Sequence, residues 1–131
     1  MELEENKISY AIRGATYRIF NELGPGLLES VYEEILAFEL KEAGHDVQRQ
    51  KPLPVEYKGR KMDLGYRLDL LINGLVPIEV KSVENLAEVH HKQLLTYMRI
   101  GGYRLGILIN FNVVTIEQGI FRKVNKFPEL K

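Results

Sequence analysis

"YRLDLLINGLVPIEVKS", Tyr66 to Ser82, sets an Asp, a Glu and a Lys inside two runs that otherwise read as buried sheet. "LGYRLDLLI" and "LVPIEVKSV" are strand-like, and Asn73-Gly74 between them is a hairpin signal. A period of two places Leu68, Leu70 and Ile72 on one face of the first strand, with Arg67, Asp69 and Leu71 on the other. In the second strand Ile78 and Val80 oppose Glu79 and Lys81. The turn decides whether the two acids meet. A two-residue Asn-Gly turn pairs Leu68 with Glu79 and sends Asp69 to the wrong face, whereas a three-residue loop or a bulge lets Asp69 and Glu79 point the same way. We expect the odd-length connection.

Helical spacing precedes this hairpin. Ile8, Ala11, Ile12, Ala15, Ile19 and Leu23 recur at helical intervals from Glu4 to Leu23, and "GPG" at 24–26 ends the run. A second helix is expected over roughly Leu28 to Ala43, with Leu28, Val31, Ile35 and Phe38 or Leu40 inward. "VQRQKPLPVEYKG" then alternates loosely as a strand ending in a Lys-Gly turn. After the hairpin, Glu88 to Ile100 returns to helical spacing, and "YRLGILINF" and "VVTIEQG" read as two closing strands. With no repeat or linker, residues 1–131 are expected to form one α/β domain, a mixed sheet flanked by helices.

Composition narrows the setting. The chain has no cysteine, which excludes disulfides and thiolate zinc sites, and no apolar run long enough for a membrane span. A cytoplasmic protein is expected, since "MELEENKISY" lacks the character of a signal peptide. The 18 basic and 18 acidic residues balance, which argues against a broad basic surface for nucleic acid. Locally, Arg49, Lys51, Lys58, Arg60, Lys61 and Arg67 crowd together, opposed by Glu56 and Asp63. This strip is either a phosphate-contacting surface, giving weak and salt-sensitive binding, or an ordinary solvated hairpin. "GILINFNVVTIEQG" is long and apolar, and at a sheet edge it would have to be covered or used in a homodimer.

Two carboxylates and an ammonium on a sheet face need partners or water as they leave bulk solvent. A hard divalent cation is one solution, because Mg²⁺ takes oxygen ligands, keeps several waters and needs only one or two protein carboxylates. A lysine two residues from a ligand can then act on an attacking water or on developing phosphoryl charge. The alternative is an edge-exposed Asp and a Glu to Lys pair on a solvated face.

The order of these residues resembles the PD-(D/E)XK nuclease core. Asp69, Glu79 and Lys81 match its metal-ligand and lysine positions, and Gln93 and Tyr97 in "HHKQLLTYM" match the Gln-x-x-x-Tyr of RecB-like members. "GLLESVY", Gly26 to Tyr32, is similar to the Gly-x-x-Glu-x-x-Tyr signature of a small bacterial group, the GxxExxY proteins. Arg67-Leu68 stand before Asp69 where the superfamily label has Pro, which RecB-like members often lack. The resemblance implies a nuclease-like fold with a Mg²⁺ or Mn²⁺ site. Asp69, Glu79 and the main-chain carbonyl of Val80 would be its metal ligands, Glu29 an acid acting through water, Lys81 the residue at the nucleophilic water, and Gln93 an orienting group with Tyr97 behind it. The implied substrate is DNA rather than RNA.

Other helical residues read more plainly. Glu29 suits either that site or the positive end of the second helix, and Glu33 is assigned to the helix end. His90, Gln93 and Tyr97 form one stripe, but adjacent His90 and His91 point about 100° apart and are expected to be exposed polar residues. Two functions remain open at this point: a metal-dependent phosphodiesterase, and a binding or adaptor module that keeps the nuclease fold without turnover.

Overall fold

In the computed structural model, which describes residues 3–126, the first apolar stripe forms α1, Glu4–Leu23, and the second helix is α2, Glu29–Glu42. Ile8, Ile12, Ala15 and Ile19 of α1 are buried as the spacing predicts. The inward face of α2 is a different one. Tyr32, Leu36, Ala37 and Leu40 are buried, whereas Leu28 and Phe38 are exposed and Val31 and Ile35 only half-buried. The row Tyr32, Leu36, Leu40 runs at intervals of four along one side of the helix, about 100° round from the expected row Val31, Ile35.

Seven strands follow. β1 is Val47–Pro52, β2 Val55–Tyr57, β3 Arg60–Met62, β4 Arg67–Ile72 and β5 Val76–Lys81; then come α3, Glu88–Gly101, β6, Leu105–Asn110, and β7, Ile120–Val124. "VQRQKPLPVEYKG" is therefore two strands, parted at Leu53-Pro54, where proline has no N–H to carry a ladder on. β2 and β3 form a small separate antiparallel ribbon, exposed throughout Glu56 to Met62. The main sheet has the order β1-β4-β5-β6-β7, antiparallel except for β5 beside β6, which α3 connects.

The end of the chain departs from the expected pattern. "VVTIEQG" is not a strand: a 3₁₀ turn, Ile116–Gly119, inserts the buried Ile116 into the core, and the closing strand is β7. Short apolar runs do not distinguish a strand from a plug of this kind. β6 is not an edge either. It lies between β5 and β7 with every residue buried, the pattern of a strand covered on both faces. The edge argument for a homodimer falls with it.

Helices α1 and α2 cover one face of the sheet, packing on Leu70, Ile72, Val76, Ile78, Val80, Ile107 and Ile109. On the opposite face α3 brings Leu94, Tyr97 and Met98 against Leu53, Leu68, Leu71 and Leu108. Leu68 thus packs on the α3 side, away from Leu70 and Ile72, and strict alternation along β4 fails at Asp69. No helix among the described residues is long and apolar enough to cross a membrane.

Candidate active site where the β4–β5 ladder opens

The hairpin loop has three residues. Leu70 pairs with Ile78, Leu71 with Pro77 and Ile72 with Val76, so Asn73, Gly74 and Leu75 make the turn. Asn73 and Gly74 both take left-handed backbone, φ 54° and 67°, which Asn and Gly adopt most readily. The same register carried one step further sets Asp69 against Glu79, as the odd-length connection requires.

At that step the ladder stops and side chains replace it. The Asp69 N–H donates to Glu79 Oε2 at 3.0 Å, and the Val80 N–H donates to Asp69 Oδ2 at 2.8 Å. Each acid satisfies a strand amide that the parted backbone leaves behind, which fixes both carboxylates at the opening. The other side of Asp69 is irregular too. Gln50 on β1 has φ 50°, and its pairing with Asp69 is missing from an otherwise continuous β1–β4 register. Its side-chain amide instead donates to Glu33 Oε1 at 2.7 Å and to Asp69 Oδ1 at 3.3 Å. These two breaks explain why β4 loses its alternation.

Helix α2 supplies the facing wall. A cleft of about 400 Å³ is lined by Glu29, Ser30, Glu33, Gln50, Asp69 and Val80. Glu29 is exposed at the rim, and its Oε2 accepts the Ser82 N–H at 3.2 Å. Ser82 Oγ in turn donates to the Leu27 carbonyl at 2.7 Å, tying the end of β5 to the loop before α2. Tyr32 anchors that loop from below. Its hydroxyl donates to the Gly24 carbonyl and accepts the Leu27 N–H at 3.2 Å, while its ring stacks on Phe111 at 4.1 Å. With Gly26 at φ 104°, where L side chains rarely go, the Gly26, Glu29 and Tyr32 spacing becomes a device that presents Glu29 beside β5.

Glu33 belongs to this cleft rather than to a helix end. It is buried and receives Arg49 Nη2 at 3.0 Å and Nε at 3.2 Å as well as Gln50. Arg49 is accordingly absent from the basic strip, and Arg67 is held by Asp63 at 3.3 Å. Sequence reasoning missed Glu33 and Gln50. A one-turn offset from Glu29 is the only signal that Glu33 carried, and Gln50 carried none. It also missed Asn110, the buried amide that holds Val83 through both its backbone groups and so shapes the chain just after Lys81.

The electrostatics reflect the crowding of acids. Burial pushes the Glu79 carboxyl up to about 8, with the charge of Asp69 adding to the effect. Burial also raises Asp69, against the lowering effect of the Val80 N–H; Glu33 raises it further and Lys81 opposes. Lys81, half-buried at the end of β5, is the cation that acts on both acids.

On α3, Gln93 Nε2 donates to the Tyr97 hydroxyl at 2.9 Å. Burial raises Tyr97, followed by the charge of Glu79, so the pair lies within electrostatic reach of the acids without lining their cleft. The histidines are not simply exposed. His90 Nδ1 accepts the Ala87 N–H at 3.1 Å and caps α3, while His91 contacts Lys123 at 2.6 Å and meets the edge of Phe121. Neither reaches the cleft.

Among the described residues no three His, Cys, Asp or Glu side chains cluster closely enough to hold an ion by themselves. The donor set still fits a hard divalent cation. Half-buried Asp69 and buried Glu79 are neighbouring oxygen donors, Glu79 keeps Oε1 beyond its backbone contact, and Mg²⁺ would complete its shell with water.

A mixed sheet between helices, with Asp69 and Glu79-x-Lys81 at an opened hairpin, is the architecture of restriction-endonuclease-like folds. The sequence profile of the PD-(D/E)XK nuclease superfamily matches residues 6–123, and the chain belongs to that superfamily. No curated protein and no solved structure matches it.

Proposed function

We propose that the protein is a divalent-metal-dependent nuclease that hydrolyses phosphodiester bonds in DNA, of the RecB-like kind and with the GxxExxY signature around Glu29. The reading is carried by one observation: a half-buried Asp69 and a buried Glu79 stand side by side at the end of a broken ladder, with the adjacent Lys81 as the cation acting on both. The charge of Asp69 raises the proton affinity of Glu79, so the doubly ionised pair is disfavoured without a metal. Asp69, Glu79 and the Val80 carbonyl would hold Mg²⁺ or Mn²⁺. When bound, the ion polarises the phosphoryl group and stabilises charge developing on it. Lys81 positions the nucleophilic water and offers an N–H to the transition state. Glu29, linked to Ser82 at the rim, acts on the water network. Gln93, backed by Tyr97, orients substrate.

Incubation with single-stranded, duplex and branched DNA in Mg²⁺ or Mn²⁺ tests this. Cleavage that EDTA abolishes is expected, and intact substrate under all conditions would favour the binding-module reading instead.

Substrate engagement should involve the β2–β3 ribbon, whose exposed Lys58, Arg60 and Lys61, together with half-buried Lys51 on β1, remain of the basic strip. Three phosphate contacts from the ribbon give a salt slope near −2 to −3 in log K against log [salt]. Replacing all three with Gln should flatten that slope and weaken binding, as read by anisotropy from 50 to 200 mM salt, a range on the scale over which phosphate contacts are resolved. An unchanged slope would make them surface residues only.

A further inference from the structure

A second hollow, of about 270 Å³, opens between α3 and the start of β4, lined among others by Tyr66, Val89, Lys92, Gln93, Thr96 and Tyr97. It is smaller than the roughly 300–1,000 Å³ of pockets that take drug-sized ligands, and suits one planar heterocycle. Its walls are chemically mixed. Tyr66 is 41% exposed and its ring stands 5.6 Å from that of Tyr97 at 50°, a tilted pair that leaves ring surface turned to solvent. The buried Tyr32–Phe111 pair, at 4.1 Å and 4°, is by contrast a closed parallel stack. At the side, Gln93 gives its N–H to Tyr97 and keeps its carbonyl oxygen for another donor. Lys92 is exposed at the lining and has no ion-pair partner among the described residues.

The hollow lies on the α3 side of the sheet, apart from the cleft that α2 lines, and the charges of Glu79 and Asp69 reach Tyr97 at its wall. Tyr66 precedes Asp69 by three residues, roughly 10 Å along an extended strand, which is the reach of a neighbouring nucleotide. We propose that this hollow is a nucleobase subsite, in which Tyr66 stacks an unpaired base beside the phosphate to be cleaved, Gln93 accepts from the base edge and Lys92 meets the backbone phosphate. The proposal rests on the nuclease reading and deepens it. A base held there has left its partner strand, so single strands and frayed ends are preferred over intact duplex.

Binding measured in EDTA, where turnover is suppressed, isolates the subsite. A labelled oligo-dT, an abasic chain of the same length and a blunt duplex are titrated against wild type, Tyr66→Ala, Tyr66→Phe and Lys92→Gln. Stacking on one aromatic ring is worth roughly 5- to 150-fold in affinity. The wild type should therefore prefer oligo-dT to the abasic chain within that range, and Tyr66→Ala should lose most of the preference. Tyr66→Phe should keep it, which separates stacking from damage to the fold. Lys92→Gln should weaken both single strands alike. Equal binding of oligo-dT and the abasic chain by the wild type, or no binding of either, overturns the subsite, as does a Tyr66→Ala protein that still discriminates. Metal-dependent cleavage without base discrimination would leave the nuclease reading standing, and discrimination without cleavage by any metal would remove that reading alone.

Discussion

Asp69→Asn should lose both the metal-induced rise in melting temperature and all measurable cleavage, while melting in EDTA at or slightly above the wild-type temperature. The asparagine keeps an oxygen for the Val80 N–H that Asp69 Oδ2 now accepts, so the ladder opening retains its shape. What disappears is a desolvated charge lying against Glu79 and Glu33. A ligand bound only by the folded protein at 100 times its Kd stabilises by about 2.7 kcal/mol, and each kcal/mol is worth roughly 3–5 °C in a domain of this size. Wild type in saturating Mn²⁺ should thus gain on the order of 10 °C. Lys81→Ala should behave differently, keeping most of that gain yet losing a factor of roughly 10²–10³ in kcat, the usual effect of removing one transition-state donor. Thermal melts of the three proteins with and without Mn²⁺, run beside cleavage assays, distinguish the roles. A wild type that ignores metal would refute the two-carboxylate site. A metal shift in wild type, lost in Asp69→Asn, with no cleavage by any form would leave an ion-binding module.

The hairpin was legible because its logic is arithmetic. Period two fixes which residues share a face, and the parity of the loop decides whether Asp69 and Glu79 meet; the observed Ile72–Val76 pairing has the parity that their meeting requires. α1 was legible for a similar reason, since five turns of consistent spacing leave little ambiguity. The misreadings fall where a rule is broken locally. Leu68 changes sides because the strands part at Asp69, where the candidate site lies. Ile116 reads as a strand residue but plugs the core from a 3₁₀ turn. Glu33 and Gln50 escaped because their meaning comes from partners 16 to 19 residues away, Arg49 and Asp69, a proximity that only the packing of α2 on β1 and β4 creates. Candidate positions that the period of two places on one face, Asp69 and Glu79, were readable, and Gln50 on the irregular β1 edge and Glu33 on α2 were not.

The acids should also give the metal-free protein an unusual pH profile. Glu79 has its carboxyl pushed up to about 8, by burial first and then by Asp69, from an ordinary value near 4.5. Below about pH 4.5 the folded and unfolded chains both hold the proton, and Glu79 contributes nothing to the slope. Between about 4.5 and 8 the folded chain keeps a proton that the unfolded chain has released, so stability falls as pH rises, by at most about 1.4 kcal/mol per pH unit. Above about 8 the folded carboxylate is charged and the loss is complete, on the order of a few kcal/mol. Asp69, raised in the same direction, steepens the acidic end of this window. Glu79→Gln retains an oxygen for the Asp69 N–H and removes the titration. Its melting temperature should therefore exceed that of wild type by an amount that grows from pH 5 to pH 8, with the three histidines common to both proteins cancelling in the difference. Saturating Mg²⁺ should flatten the wild-type profile over the same range, since a cation favours the deprotonated carboxylates and displaces their protons on binding. Chemical or thermal denaturation of both proteins in EDTA across this range measures the divergence directly. Parallel profiles would mean that Glu79 is ionised at neutral pH without a metal, and that Lys81 alone suffices to hold the two charges together.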